Sequence, residues 1–197
     1  MTYKLILASS SPRRLDLLTQ IGFAPDVVDA ADIDETPLKK ENPQNYAARL
    51  GKEKALVVAQ RHDDAIIVAA DTMVAVGRRI IGKAENAAEA IRDLSIMQGR
   101  NHKVYSGMTI IKKSGGKIIQ QSNKLVCTTV KFKHMSQQEL EWYVNTNEWQ
   151  GKSGSFTLLG IGAGFIESIK GSHTNVIGLP LLEARNILIG MGLLPKL

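Results

Sequence analysis

The sequence of 197 residues contains a single cysteine, Cys127, so no disulfide can close within the chain, and no group of cysteines and histidines has the spacing of a zinc site. The position of Cys127 in the strand-like run Leu125 to Phe132 predicts a small buried hydrophobe. Aromatic residues are scarce, at 5%, and do not interleave with the basic ones, which removes the stacking surface that single-stranded nucleic acid needs. No apolar run approaches the roughly 18 residues of a membrane helix, and the opening MTYKLILASSS lacks the length and flanks of a signal peptide. A cytoplasmic protein without a membrane partner is the expectation. Long runs of one charge are missing too. The lysines and arginines are scattered or paired, as at Arg13-Arg14, Lys39-Lys40, Arg78-Arg79 and Lys112-Lys113, although the net charge is +6. That distribution suits a small polyanion better than a nucleic acid. Finally, the chain has no Gly-x-x-x-x-Gly-Lys-Ser/Thr loop, and its Gly160-Ile161-Gly162-Ala163-Gly164 run lacks the strand-to-helix frame of a dinucleotide fingerprint.

What is present is a globular composition, 44% apolar and 22% charged, long enough for one sizeable core and read as a single domain over residues 1–197. Lys4 to Ser9 reads as a strand closed by serines. Ser11 is then a helix N-cap candidate before Pro12, with Leu15, Leu18 and Ile21 on one face and Gly22 past the end. Asn42-Pro43 repeats the signal for a helix running to about Arg61. Its inward stripe, Leu50, Val57 and Val58, also carries Lys54, which therefore needs an anionic partner. Ile66 to Ala70 is a continuous apolar strand of the doubly buried kind, with Asp71 and Thr72 expected at its end. A hairpin through Gly77, a helix from about Ala87 to Met97, two strands flanking Ser114-Gly115-Gly116, a Ser136/Glu139 capping box opening a helix, and a last helix from Pro180 to about Gly190 complete an alternating α/β pattern. Residues 151–178 hold seven of the 17 glycines, which predicts tight turns and close backbone approach to a strand or a ligand.

Two groups of residues can carry chemistry. Ser9-Ser10-Ser11-Pro12-Arg13-Arg14 lies in a strand-to-helix turn, where free N–H groups, hydroxyls, a helix dipole and two guanidinium groups favour a phosphate. A capped helix with solvated arginines fits that pattern equally well. The second group is acidic: Asp32, Asp34 and Glu35, and Asp71. Phosphoryl chemistry in a basic site needs carboxylates to bind a divalent metal and to orient or deprotonate water, and Asp71 is the better placed. The Asp32 to Glu35 stretch reads first as a solvated acidic loop. Lys83 reads first as a surface lysine and only second as a phosphate ligand, and His102 and His173, single and without neighbours at ligand spacing, read as structural.

Taken together, the chain resembles the Maf family of nucleoside triphosphate pyrophosphatases nearly end to end. The matching segments are Leu7-Ala8-Ser9-x-Ser11-Pro12-Arg13-Arg14, Asp34-Glu35-x-Pro37, Arg49-Leu50-x-x-x-Lys54-Ala55, Ala70-Asp71-Thr72-x-Val74, Gly82-Lys83, Gly99-Arg100-x-His102-x-Val104 and Gly171-Ser172-x-x-Asn175-Val176-x-Gly178-Leu179-Pro180-Leu181. The resemblance implies an α/β fold like that of the inosine triphosphate pyrophosphatases, with a central mixed β-sheet flanked by helices and two lobes around a cleft. It further implies a divalent metal (magnesium, manganese or cobalt), a nucleoside triphosphate substrate and a homodimer. By this carry-over Asp71 accepts the proton of the water that attacks the α-phosphorus. Ser9, Ser11, Arg13, Arg14, Lys54 and Lys83 hold phosphates, and Glu35 assists Asp71 at the metal.

Specificity is where the chain departs from the family pattern. Members acting on dTTP and UTP carry an arginine, a threonine and a glutamine at three positions. Arg13 and Thr72 match the first two, but Leu159 stands at the third and can make no hydrogen bond. The subfamily associated with 7-methyl-GTP has tryptophan, glutamine and glutamate at these places. None of them is present, although Gly154-Ser155-Phe156 resembles that subfamily's segment, and His173 stands where tyrosine is common. Two other functions compete with the pyrophosphatase reading: a regulator of septum formation that binds nucleic acid or protein, and a phosphatase releasing orthophosphate.

Overall fold

A buried strand, a serine turn and a helix open the chain of the computed structural model, which describes residues 3–196. Strand β1, Lys4–Leu7, leads into helix α1, Pro12–Gln20. Ser11 occupies the N-cap position but its side chain makes no capping bond, and Leu17 and Leu18, with Leu15 and Ile21 only partly covered, form the buried face of α1. After β2, Val27–Val28, helix α2, Pro43–Ala59, is capped by Asn42, whose side chain accepts a hydrogen bond from the Asn45 amide at 2.8 Å. Strand β3, Ala65–Val76, is followed by β4, Arg79–Ile81, helix α3, Ala87–Met97, and β5, Asn101–Ser114. Then come β6, Lys117–Phe132, helix α4, Gln137–Asn145, with its Ser136/Glu139 capping box in place, and β7, Ile166–Lys170. Helices α5, His173–Ile177, and α6, Leu181–Gly190, follow. The Ile161–Phe165 glycine run is a 3-10 helix.

The described residues form a seven-stranded sheet in the order β2-β1-β3-β5-β6-β7, with β4 paired to β3. It is mixed: β1 is parallel to β2 and β3, whereas β4 is antiparallel to β3 and β7 to β6. The helices flank it, so the α/β class read from the sequence holds. No helix among the described residues is long and apolar enough to cross a membrane.

The chain forms two compact units. The first runs up to Asp71 and takes in Ser106–Val126 and everything from Gly178 onward; the second comprises Thr72–Tyr105 and Cys127–Ile177. Each has its own core. In the first, Ile6, Ala8, Ala55, Val58, Ile67 and Ile111 pack between α2 and the sheet. In the second, Leu94, Met97, Phe132, Leu140, Tyr143, Trp149 and Phe156 form a larger, aromatic-rich cluster. Complete burial of one such Val, Leu, Ile or Phe stabilises by roughly 1.5–3 kcal/mol, so these clusters dominate the stability of each unit.

Two sequence expectations are corrected. Cys127 is exposed, not buried, because the side chains of β6 become covered only from Thr128 onward, where the strand enters the second core at Val130 and Phe132. Asp71 and Thr72 do not end their strand. The apolar run stops at Ala70, but the backbone continues because β4 pairs with β3 at Val74, Ala75 and Val76.

Candidate functional site

What ends near Asp71 is the neighbouring strand. In the parallel β1/β3 register Leu7 lies beside Val68, and the Ala8 amide donates to the Val68 carbonyl at 2.8 Å. Beyond that point β1 turns into the serine loop while β3 runs on to Asp71. The carboxylate therefore projects past the carboxyl end of β1, the position at which open α/β sheets bind ligands.

The serine loop is organised around a buried hydroxyl. Ser9 Oγ accepts from the Ser11 amide at 3.2 Å and from Arg14 Nη1 at 2.9 Å, and Arg14 Nε donates to the Gly178 carbonyl at 2.9 Å. Arg14 is thus fixed from two sides. Burial pulls its guanidinium below the ordinary range; the negative charges of Asp71 and Glu35 work against that and the positive charge of Arg13 adds to it. These influences establish that Arg13, Arg14, Glu35 and Asp71 share one electrostatic neighbourhood. Arg13 is also lowered by partial burial, and it has no hydrogen-bond or ion-pair partner among the described residues. With no side chain capping α1, the helix start keeps its polarity for an anion.

Lys54 supplies the centre of the acidic group. It is only 8% exposed, on the inward face of α2 with Leu50, Ala55 and Val58. Its Nζ lies 2.5 Å from Asp71 Oδ1 and 2.6 Å from Glu35 Oε1. One ammonium therefore bridges two carboxylates, and so offsets the repulsion that would otherwise separate them. The anionic partner that the helix pattern required is doubled. The rest of the acidic stretch stays apart: Asp32 is exposed, and Asp34 accepts the Thr36 amide at 2.8 Å in a local turn.

Thr72, Lys83 and Leu159 belong to the second unit. Lys83 is exposed and bridges to Ser153, whose hydroxyl donates to the Thr72 carbonyl at 3.4 Å. Leu159 is 64% exposed in a short loop whose amide donates to Thr157 Oγ1 at 3.2 Å. His102 is structural, as expected. It is buried edge-on between Phe132 and Phe156, with ring centroids 4.7 and 5.4 Å away.

The family profile described as "Maf-like protein" matches residues 4–191, which span all the residues just described. The chain belongs to the Maf family. This Maf chain is 49% identical over 191 residues to the "dTTP/UTP pyrophosphatase" of Caulobacter vibrioides, covering 97% of both chains. It is 46% identical to the protein of the same name from Paramagnetospirillum magneticum, covering 97% of this chain and 98% of that one. Among solved structures it resembles a HAM1 protein from Coxiella burnetii, with a TM-score of 0.55 at 13% identity over 96% of this chain and 100% of that one. At that identity the likeness establishes the fold alone.

Two contacts of this Maf protein were not foreseen. The Gly178 carbonyl that holds Arg14 carries no side-chain signal, and only its place in the Gly178-Leu179-Pro180 motif marks it. Glu148 accepts the consecutive amides of Ile161 and Gly162, both at 2.8 Å, and clamps the start of the 3-10 helix beside Leu159. A Cβ on Gly160 would come within 1.7 Å of Glu148 Oε1, so a side chain there would displace the Glu148 carboxylate from the two amides. At the start of this 3-10 helix the close backbone approach is to the Glu148 carboxylate.

A divalent cation can be tested against the donor set. Among the described residues no group of three or more His, Cys, Asp and Glu comes together. Glu35 and Asp71 nevertheless present hard oxygen donors on one lysine, the pattern suited to magnesium held by one or two carboxylates plus substrate phosphates. The residues fit such an ion.

Proposed function

We propose that this protein hydrolyses nucleoside triphosphates to the monophosphate and pyrophosphate, with residues 1–197 acting as one Maf-like catalytic domain. The observation that carries the reading is Lys54 bridging Asp71 and Glu35 beside the Ser9–Arg14 anion loop. Relatives named dTTP/UTP pyrophosphatase across nearly the whole chain support it, and they do not favour the regulatory reading.

In this mechanism Asp71 is the proton acceptor for the water that attacks the α-phosphorus. Lys54 engages Oδ1 and leaves Oδ2 as the oxygen that takes the proton. Ser9, Ser11, Arg13, Arg14, Lys54 and Lys83 hold the phosphates, and those facing the departing pyrophosphate stabilise its growing charge. Lys54 also keeps Asp71 aimed. A magnesium, manganese or cobalt ion held by Glu35 and Asp71 would supply charge neutralisation at the phosphates.

Base selection is assigned to Arg13, Thr72 and Leu159. The relatives' names point to dTTP and UTP, and Arg13 and Thr72 agree with that, while Leu159 replaces hydrogen bonding by apolar contact. The resulting expectation is a pyrimidine preference weaker than that of a chain with glutamine. A homodimer and a cytoplasmic location complete the proposal; the former is tested by light scattering of the purified chain.

The deciding experiment is pyrophosphate release from a panel of nucleoside triphosphates with magnesium, manganese or cobalt. Pyrophosphate with dTTP and UTP leading is the expected outcome. Orthophosphate alone would make the protein a phosphatase, and no release from any nucleotide would end the enzymatic reading.

A further inference from the structure

Glu35 sits in an exposed loop without regular secondary structure, yet its carboxylate is held 2.6 Å from Lys54. A loop side chain needs its backbone fixed to hold such a position, because otherwise the ion pair must overcome the entropy of ordering the loop. The fixing comes from α2. Tyr46 donates its hydroxyl to the Glu35 carbonyl, and Arg49 Nη2 donates to the Thr36 carbonyl at 3.1 Å. Two consecutive carbonyls are therefore held by two residues three apart on one helix, the spacing that puts side chains on one face.

Arg49 is itself immobilised. Its Nε and Nη2 lie 2.9 Å from the two oxygens of Glu41, and Nη1 lies 3.0 Å from Glu53 Oε2. Glu41 in turn accepts the Leu38 amide at 2.9 Å and so closes the far end of the loop. Arg49 also packs over the Tyr46 ring, 5.4 Å from its centroid. Every guanidinium nitrogen is thus engaged by protein acceptors. An arginine five residues before Lys54 on the same helix would ordinarily be taken for a phosphate ligand, but this one is committed to the loop.

We infer that Arg49 and Tyr46 are positioning residues: they strap the Glu35-Thr36 backbone to α2 and thereby set the Glu35 carboxylate beside Lys54 and Asp71. The inference rests on the pyrophosphatase reading and deepens it, since it assigns two residues that act through Glu35 and touch no substrate. Lysine cannot replace Arg49, because a single ammonium cannot span both Glu41 oxygens and the Thr36 carbonyl in the planar fork that guanidinium provides.

The test uses the whole chain as wild type, Tyr46→Phe, Arg49→Met, Arg49→Lys, Glu35→Gln and the double variant Arg49→Met/Glu35→Gln. Amide hydrogen exchange over residues 34–41 and pyrophosphate release from dTTP are measured on each. In Arg49→Met, protection of the loop is lost and kcat falls about tenfold while KM for the nucleotide stays within about twofold, and Arg49→Lys does not restore the rate. Tyr46→Phe, the gentler change, loses part of the protection and about threefold in kcat. The double variant is no slower than Glu35→Gln alone, because the strap has nothing left to position. Additive losses in the double variant, or a KM rise with kcat unchanged, overturn the inference and leave the enzymatic reading standing. A wild type that releases no pyrophosphate removes both.

Discussion

In the first unit the candidate site is held by charge: Lys54 between Asp71 and Glu35, Arg14 between Ser9 and the Gly178 carbonyl, and Arg49 between Glu41 and Glu53. In the second, the loop bearing Leu159 is held by packing and by backbone. Phe156 is wedged among His102 and Phe132, and Glu148 grips the amides of Ile161 and Gly162. The contrast teaches where each kind of residue is replaceable. A charge network fails when one member is removed, because the remaining charges lose their compensation. A packed loop tolerates an isosteric change but is sensitive to a buried proton or a lost amide acceptor.

The largest effect is expected in the charged unit. Asp71→Asn should lower pyrophosphate release by about a thousandfold while nucleotide binding by calorimetry is retained, the signature of a lost proton acceptor. Wild-type turnover in that variant would remove the assignment.

The second effect belongs to the packed unit and appears only in acid. Burial pushes the His102 imidazole down from 6.5 to about 4, and neither ring nitrogen has a hydrogen-bond partner among the described residues. The unfolded chain therefore binds the proton first, so stability is full above the unfolded value and declines as pH falls from 6.5 towards about 4. The loss amounts to about 3 kcal/mol at full extent. His102→Phe gives up no hydrogen bond and should flatten that part of the curve in denaturant titrations across pH; an unaltered pH dependence would show that another group controls acid stability.

Smaller still, Glu148→Gln replaces one of two acceptors by a donor facing an amide. A cost of about 1–2 kcal/mol in thermal or denaturant unfolding is expected. Exchange at Ile161 and Gly162 should speed up, and unchanged exchange there would show that the clamp contributes nothing. The smallest effect concerns selectivity: Leu159→Gln should shift the ratio of kcat/KM between dTTP or UTP and the other triphosphates by about tenfold, one recovered hydrogen bond. A base ranking identical to wild type would rule out that position as a selector.

Much of this was legible in the chain. The cap-plus-proline signals located α1 and α2, the Ser136/Glu139 box located α4, and the misplaced Lys54 on an apolar stripe announced a buried anion. The errors have a common origin. An apolar run marks neither where a strand ends nor which of its residues are covered, so β3 continues through Asp71 and Cys127 is exposed. Strand length depends on which neighbour offers backbone partners, and burial depends on which half of β6 enters a core.

Residue types and local spacing therefore determined the elements, the α/β class and the inventory of acids and bases, since periodicity and capping act over a few residues. Tertiary structure alone decided who meets whom. Lys54 finds Asp71 seventeen residues away, and Arg14 finds the Gly178 carbonyl 164 residues away. Arg49, indistinguishable in sequence from a phosphate-binding arginine, is claimed by Glu41 and the Thr36 carbonyl. Hydrogen bonds and ion pairs fall off within a few ångströms, so their partners are set by the path of the backbone in space and not by distance along it.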